Sequence, residues 1–167
     1  MNYNPSTIAR VADINRGIIV QTGTCNNTAV LKATAVPIFT VRGRVRILSL
    51  DIEAITAFSN DATLVKWQFD SSVPAVATAD ISAASLTVAQ IAAGRRIVFQ
   101  GTALNTAQVI AANPCISLQA PNTMDVGCQD GVGTLDTHGA VAQTSGTCKI
   151  TICYVPISEG AYVESLF

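Results

Sequence analysis

Charge is the first thing this chain lacks. Only 13% of its 167 residues are Asp, Glu, Lys or Arg, about half the usual share of roughly 25%. Ten basic residues meet eleven acidic ones, for a net charge of −1, and only three of the basic ones are lysines. No broad positive field gathers polyanions, so nucleic acid is not expected as a partner. Aromatics are scarce as well, at 5%, which leaves few for an exposed sugar-binding platform. Long apolar runs are missing. Ile97 to Met124 carries no charge, yet Gln100, Asn105, Gln108, Asn113, Pro114 and Gln119 interrupt it. A membrane-spanning helix needs about 20 predominantly apolar residues, so no membrane partner is expected. The start, Met1-Asn2-Tyr3-Asn4-Pro5, shows no basic stretch leading into an apolar one; it does not read as a secretory signal, and synthesis in the cytosol is expected.

The residues of catalysis are equally sparse. His138 is the only histidine, and no serine sits in a G-x-S-x-G elbow, so a hydrolase triad has no support. Its Leu135-Asp136-Thr137-His138-Gly139 setting reads as a loop beside a glycine turn. Cys128, His138 and Cys148 are equally spaced, but structural zinc sites bring ligands in close pairs. Asp125 to Asp136 holds three carboxylates among glycines without the spacing of a calcium loop, and reads as a solvated turn. No enzyme, catalytic residue, metal site or cofactor is expected. The five cysteines, Cys25, Cys115, Cys128, Cys148 and Cys153, form no C-x-x-C pair. They are expected mostly as reduced, buried thiols, with one late disulfide left open and its pairing unreadable.

What is present is apolar. Hydrophobic residues make up 49% of the chain, which excludes disorder and predicts one domain that buries roughly 69% of its extended surface. A soluble surface so poor in charge implies burial in an oligomer or larger assembly. Period-two patterning dominates. Strands are expected at Gly17–Val20, Ala29–Ala35, Leu64–Phe69, Arg96–Gln100, Cys115–Gln119 and Cys148–Val155. In the last, Cys148, Ile150, Ile152 and Tyr154 share a face, and Val65, Trp67 and Phe69 are expected in the core. Ile38 to Ile52 reads as one long bent strand. Arg42, Arg44 and Arg46 share one of its faces, and the phase reverses from Leu48 as at a β-bulge. Asp80 is expected to cap a short helical turn through Ser85, and Gly94 to stop Thr87–Ala93. For Ala103–Ala112 helix and strand are equally supported. The count of short strands gives an all-β fold, a single-domain β-sandwich or jelly-roll-like barrel over 17–167.

Two stretches carry a resemblance. Phe39-Thr40-Val41-Arg42-Gly43-Arg44-Val45-Arg46-Ile47 resembles a strand near the start of small β-rich virion proteins of tailed bacteriophages. Gly133-Thr134-Leu135, then Thr144 through Ile157 with Tyr154-Val155-Pro156, and then Glu159-Gly160-Ala161, resemble their closing pattern. The resemblance spans Ile38 to Val163 and tips Ala103–Ala112 toward strand and loop. It implies a capsid decoration or cement protein, found in the virion after assembly in the host bacterial cytoplasm. The alternative is a tail, neck or fibre module. The implied partners are the major capsid protein and further copies of the chain, as a trimer or dimer. Residues 1–16 read as an extended N-terminal arm that orders on a neighbour. The candidate contact residues are Arg42, Arg44 and Arg46 on the strand and Tyr3, Pro5, Ile8 and Arg10 on the arm.

Overall fold

Strands whose alternate residues are apolar bury one face, and two such sheets bury their faces against each other. The computed structural model describes residues 17–61, 63–82, 88–100, 116–119 and 123–167. These form β1 (Ile18–Gln21), β2 (Cys25–Asn26), a helical turn α1 (Asn27–Val30), β3 (Val36–Arg42), β4 (Val45–Ala54) and β5 (Val65–Val73). Then follow β6 (Ala79–Asp80), β7 (Arg96–Gln100), β8 (Ile116–Gln119), β9 (Thr123–Val126), β10 (Val132–Gly139), β11 (Thr147–Pro156) and β12 (Tyr162–Ser165). The first sheet runs β1-β11-β4-β9-β8, with β2 also on β11 and β7 also on β4; the second runs β12-β3-β10-β5-β6. The described pairings are antiparallel. The fold is an all-β sandwich of two separate ladders, not a closed barrel.

The core lies between the sheets. Cys148, Ile150, Ile152 and Tyr154 of β11 are all buried, and so are Val65, Trp67 and Phe69 of β5, as the alternation requires. Fully burying one such large side chain contributes about 1.5–3 kcal/mol. Rings tie the layers together. Trp67 stacks on Phe39 within the second sheet at 6.3 Å between centroids, and meets the edge of Phe99 from the first sheet at 6.4 Å.

The expected long strand is in fact two. β3 belongs to the second sheet and β4 to the first, and Gly43 and Arg44 carry the chain across. Gly43 takes φ +69°, a conformation that favours glycine. Inward parity survives the crossing because both sheets face one core, so Val41, Val45 and Ile47 are all buried. The phase reversal is real. Along β11 the register passes from Cys153↔Ser49 to Tyr154↔Ile47, leaving Leu48 as the extra residue of a bulge, half-buried rather than inward. Beyond it Leu50 and Ile52 point into the core.

Further expectations are revised. Ala29–Ala35 is not a strand, since Asn27–Val30 closes one helical turn through Leu31 N–H donating to the Asn27 carbonyl at 2.8 Å. Asp80 lies in β6, where its carboxylate accepts from Lys66 and Gln68, while most of the turn expected to follow it through Ser85 lies outside the described residues. Only Gly127–Gly131 of the supposed solvated turn is a turn. Asp125 and Asp136 sit in strands and are buried, and His138 lies in β10 opposite Lys66 instead of in a loop. Residues 1–16 and Ala103–Ala112 lie outside the described residues.

Candidate interaction surface

The arginines expected on one strand face are divided by the crossing. Arg42 ends β3, Arg44 lies in the connection, and Arg46 is the second residue of β4, opposite Asp125 of β9. Arg46 donates from Nε to Asp125 Oδ1 at 2.8 Å and from Nη2 to Oδ2 at 3.3 Å. Arg44 Nη2 adds a contact to Oδ2 at 3.4 Å. The Asp125 side chain is only 4% exposed, whereas those of Arg44 and Arg46 are 42% and 38% exposed. A carboxylate in such a place needs its counterions. The hydrogen bond to Asp125 in turn holds the Arg46 guanidinium above its usual pKa. Two of the three strand arginines offered for docking are thus engaged by the fold.

Arg42 makes no ion pair among the described residues. It lies in a row across the outer face of the second sheet, between Tyr162 of β12 and Val132 of β10, with Val73 of β5 beyond. Arg42, Tyr162 and Val73 are exposed. Aromatic, arginine and aliphatic groups in one patch form the composition that protein interfaces favour. Beside this end a cavity of about 360 Å³ is lined by Arg44, Gly127, Cys128, Gln129, Ile157 and Ser158. The crossing is packed too tightly to vary, since a Cβ on Gly127 would stand 2.1 Å from the Gly43 carbonyl oxygen.

A larger apolar feature escaped sequence reasoning. The edge strands β1 and β12 adjoin, and among the described strands each is paired on one side only, β1 with β11 and β12 with β3. The chain end closes the gap, with Gly23 N–H donating to the Phe167 carbonyl at 3.1 Å and Leu166 N–H to the Ile38 carbonyl at 3.0 Å. Ile19 is 69% exposed, Leu166 50%, Phe167 46%, and Ile18 and Tyr162 39% each. Proteins usually blunt such edges with lysine, proline or bulges, and the Ile-Ile-Val-Gln of β1 has none of these. From sequence the apolar run reads as a strand, and nothing local marks it as an edge.

Comparison with known proteins adds little. No family model matches the sequence, and no curated protein matches it. A solved structure of infectious bursal disease virus, Gx strain, aligns with 88% of this chain at 12% identity and a TM-score of 0.18. This chain spans about a third of that one, 33% of its length. At that score the likeness bears on neither fold nor function.

The remaining candidates fall apart or lie elsewhere. Cys148 points into the core from the first sheet, His138 sits in the second, and Cys128 is disulfide-bonded, so the equally spaced trio is not brought together. Among the described residues no cluster of three or more His, Cys, Asp or Glu could hold a metal, and no helix is long and apolar enough to cross a membrane. The bond at Cys128 answers the open question of a disulfide, while Cys25, Cys148 and Cys153 keep free thiols. Tyr3, Pro5, Ile8 and Arg10 lie outside the described residues.

Proposed function

We propose that this chain is a structural virion protein, a decoration or cement domain that binds the outer surface of a tailed-phage head and stabilises it. The observation that carries the reading is the apolar edge of β1, which holds no lysine, proline or bulge, with Tyr162, Leu166 and Phe167 exposed beside it. An edge of this kind buries well against another protein chain and is a liability in a solitary monomer. Copies of the domain associate along it as a trimer or dimer. The end bearing Arg42, Tyr162 and Val73 then faces the major capsid protein, and residues 1–16, which enter directly at β1, run onto a neighbouring subunit. Many modest contacts repeated around a shell act together through effective concentration.

The experiment is co-sedimentation of the purified protein with bare expanded heads, with heat resistance of decorated and undecorated particles measured beside it. Binding and a gain in heat resistance are expected. Arg42→Gln should weaken binding and flatten its salt dependence, and deleting residues 1–16 should weaken binding while the isolated domain stays folded. If the protein ignores heads and labels tails or baseplates, the cement reading fails and a tail, neck or fibre module replaces it.

A further inference from the structure

Of the three described free thiols, two face each other. β2 pairs with β11 over two residues only, and in that register Cys25 lies directly opposite Cys148. Opposed residues of an antiparallel pair have Cα atoms about 4.5–5.5 Å apart, inside the roughly 4.4–6.8 Å that a disulfide spans. Both side chains lie on the inner face, Cys148 fully buried and Cys25 5% exposed. Cys25 Sγ donates a long contact to the Gly23 carbonyl at 3.5 Å. Cys153 has no such partner, for it lies on the outer face opposite Ser49 and Ile19.

We propose that Cys25 and Cys148 form a latent staple, a cross-strand dithiol that a small-molecule disulfide converts into an intrachain disulfide when the protein passes into an oxidising solution. The assignment stands on the chain's own geometry, independent of the virion reading. Closure requires the Cβ atoms to approach by about 0.5–1.5 Å, from about 4.5–5.5 Å to about 4 Å. β2 can supply that movement. It is two residues long and, among the described strands, is held by β11 alone, whereas β11 is fixed between neighbours on both sides.

The chemistry is ordinary thiol–disulfide exchange. The Cys25 thiolate attacks one sulfur of the external disulfide R–S–S–R, forming a Cys25–S–S–R bond and expelling R–S⁻, which takes up the proton Cys25 lost. The Cys148 thiolate then attacks the Cys25 sulfur, forming the Cys25–Cys148 bond and expelling the second R–S⁻, which takes up the proton of Cys148. Two protein thiols are oxidised and one external disulfide is reduced to two thiols. Burial, with Cys25 beside it, pushes the Cys148 thiol up to about 12. Its thiolate is therefore scarce at neutral pH, and the pair stays reduced unless oxidant persists. The closed loop would span most of the described domain, the case in which a cross-link restricts the unfolded chain most.

The test uses the full chain incubated natively with oxidised glutathione, then denatured, alkylated and digested for mass spectrometry. A peptide joining Cys25 to Cys148 is expected, with Cys153 recovered alkylated or carrying glutathione. The melting temperature should rise by about 10 °C. The rise should persist in Cys153→Ser and vanish in Cys25→Ala, a change at a short edge strand that leaves the core of β11 intact. Recovery of Cys25 and Cys148 both alkylated, or of Cys25 halted as a mixed disulfide, overturns the proposal. A joined peptide without the rise in melting temperature overturns it as a staple.

Discussion

Ile152 and Ile19 lie on neighbouring strands of one sheet and meet opposite fates. Ile152, in β11, is fully buried between the sheets, while Ile19, in the adjoining edge strand β1, is 69% exposed. Alternation places the two on opposite faces, since Ile19 is paired with the outward Cys153. The second sheet covers the inner face; nothing described in this chain covers the outer face at Ile19. Charge obeys the same contrast. On the outer face of the first sheet, Asp125 and Asp51 are nearly buried and each is closed over by arginine. On the outer face of the second sheet, Asp136 is as buried, yet its Oδ1 has no hydrogen-bond partner among the described residues. Among the described residues the inner faces are packed against each other, with Trp67 Nε1 left unpaired in the core, while the outer margin leaves Ile19 bare.

The largest effect should come from the interior. Ile152→Ala is expected to cost about 3 kcal/mol, read as a drop in melting temperature; an unchanged value would mean that β11 presents its other face to the core. Next comes the clamp on the outer face. Arg46→Met leaves the Asp125 carboxylate buried with only the longer contact to Arg44, at an expected cost of about 2 kcal/mol, tempered by the partial exposure of the arginine. Denaturant titration of Arg46→Met, Asp125→Asn and the double variant should show the double losing less than the two singles added together. Strict additivity would show that the pair does not interact.

Asp136 gives a smaller and pH-dependent effect. Burial, opposed by a hydrogen bond from Thr134 and reinforced by nearby Asp70, raises its pKa above the ordinary carboxylate value. The folded state therefore holds this proton more tightly than the unfolded chain does. The resulting stability is full below the ordinary carboxylate pKa and is lost as pH rises through the elevated value. Asp136→Asn should remove that slope and gain about 1 kcal/mol relative to the parent between acid and neutral pH, measured by melting at a series of pH values. An Asn-minus-Asp difference that is flat with pH contradicts this. The smallest effect on stability belongs to the edge. Ile19→Lys should change monomer stability by less than about 0.5 kcal/mol, yet abolish self-association in light scattering; a monomeric parent protein would remove the reason for the exposed edge.

Much of the interior was legible in the sequence because it rests on local alternation. The inward faces of β5 and β11, and the bulge at Leu48, follow from which residues are apolar at every second position. The break at Gly43 was hidden by the same signal. Val41, Val45 and Ile47 keep one parity through it, so two strands in different sheets read as one. Asn27–Val30 is a single helical turn, too short to show a helical period. The candidate surface was half legible. Arg44 and Arg46 stood out as a charge feature, but their partner Asp125 lies about 80 residues away, at separations of 81 and 79. No local pattern connects residues so far apart. The β1 edge was missed because an apolar tetrapeptide looks alike at the centre of a sheet and at its margin.

The placement of β10 and β11 has a consequence for how the chain is made. β11 receives β1 and β2 on one side and β4 on the other, while β10 lies between β3 and β5. Both central strands follow Gly131, so a ribosome has already produced β1 through β9 before either ladder can be completed. During that interval the early strands have their apolar faces bare and their main partners unmade. Ile18–Gln21 must wait until residues 151–154 have emerged. Closing pairs so distant in sequence is slow, and all-β domains of this kind fold in milliseconds to seconds. A nascent chain arrested before Thr147 lacks the strand that joins β1 and β2 to β4, leaving Leu50 and Ile52 without their cross-strand neighbours Ile152 and Ile150, so emergence of β11 is the step that separates folding from aggregation.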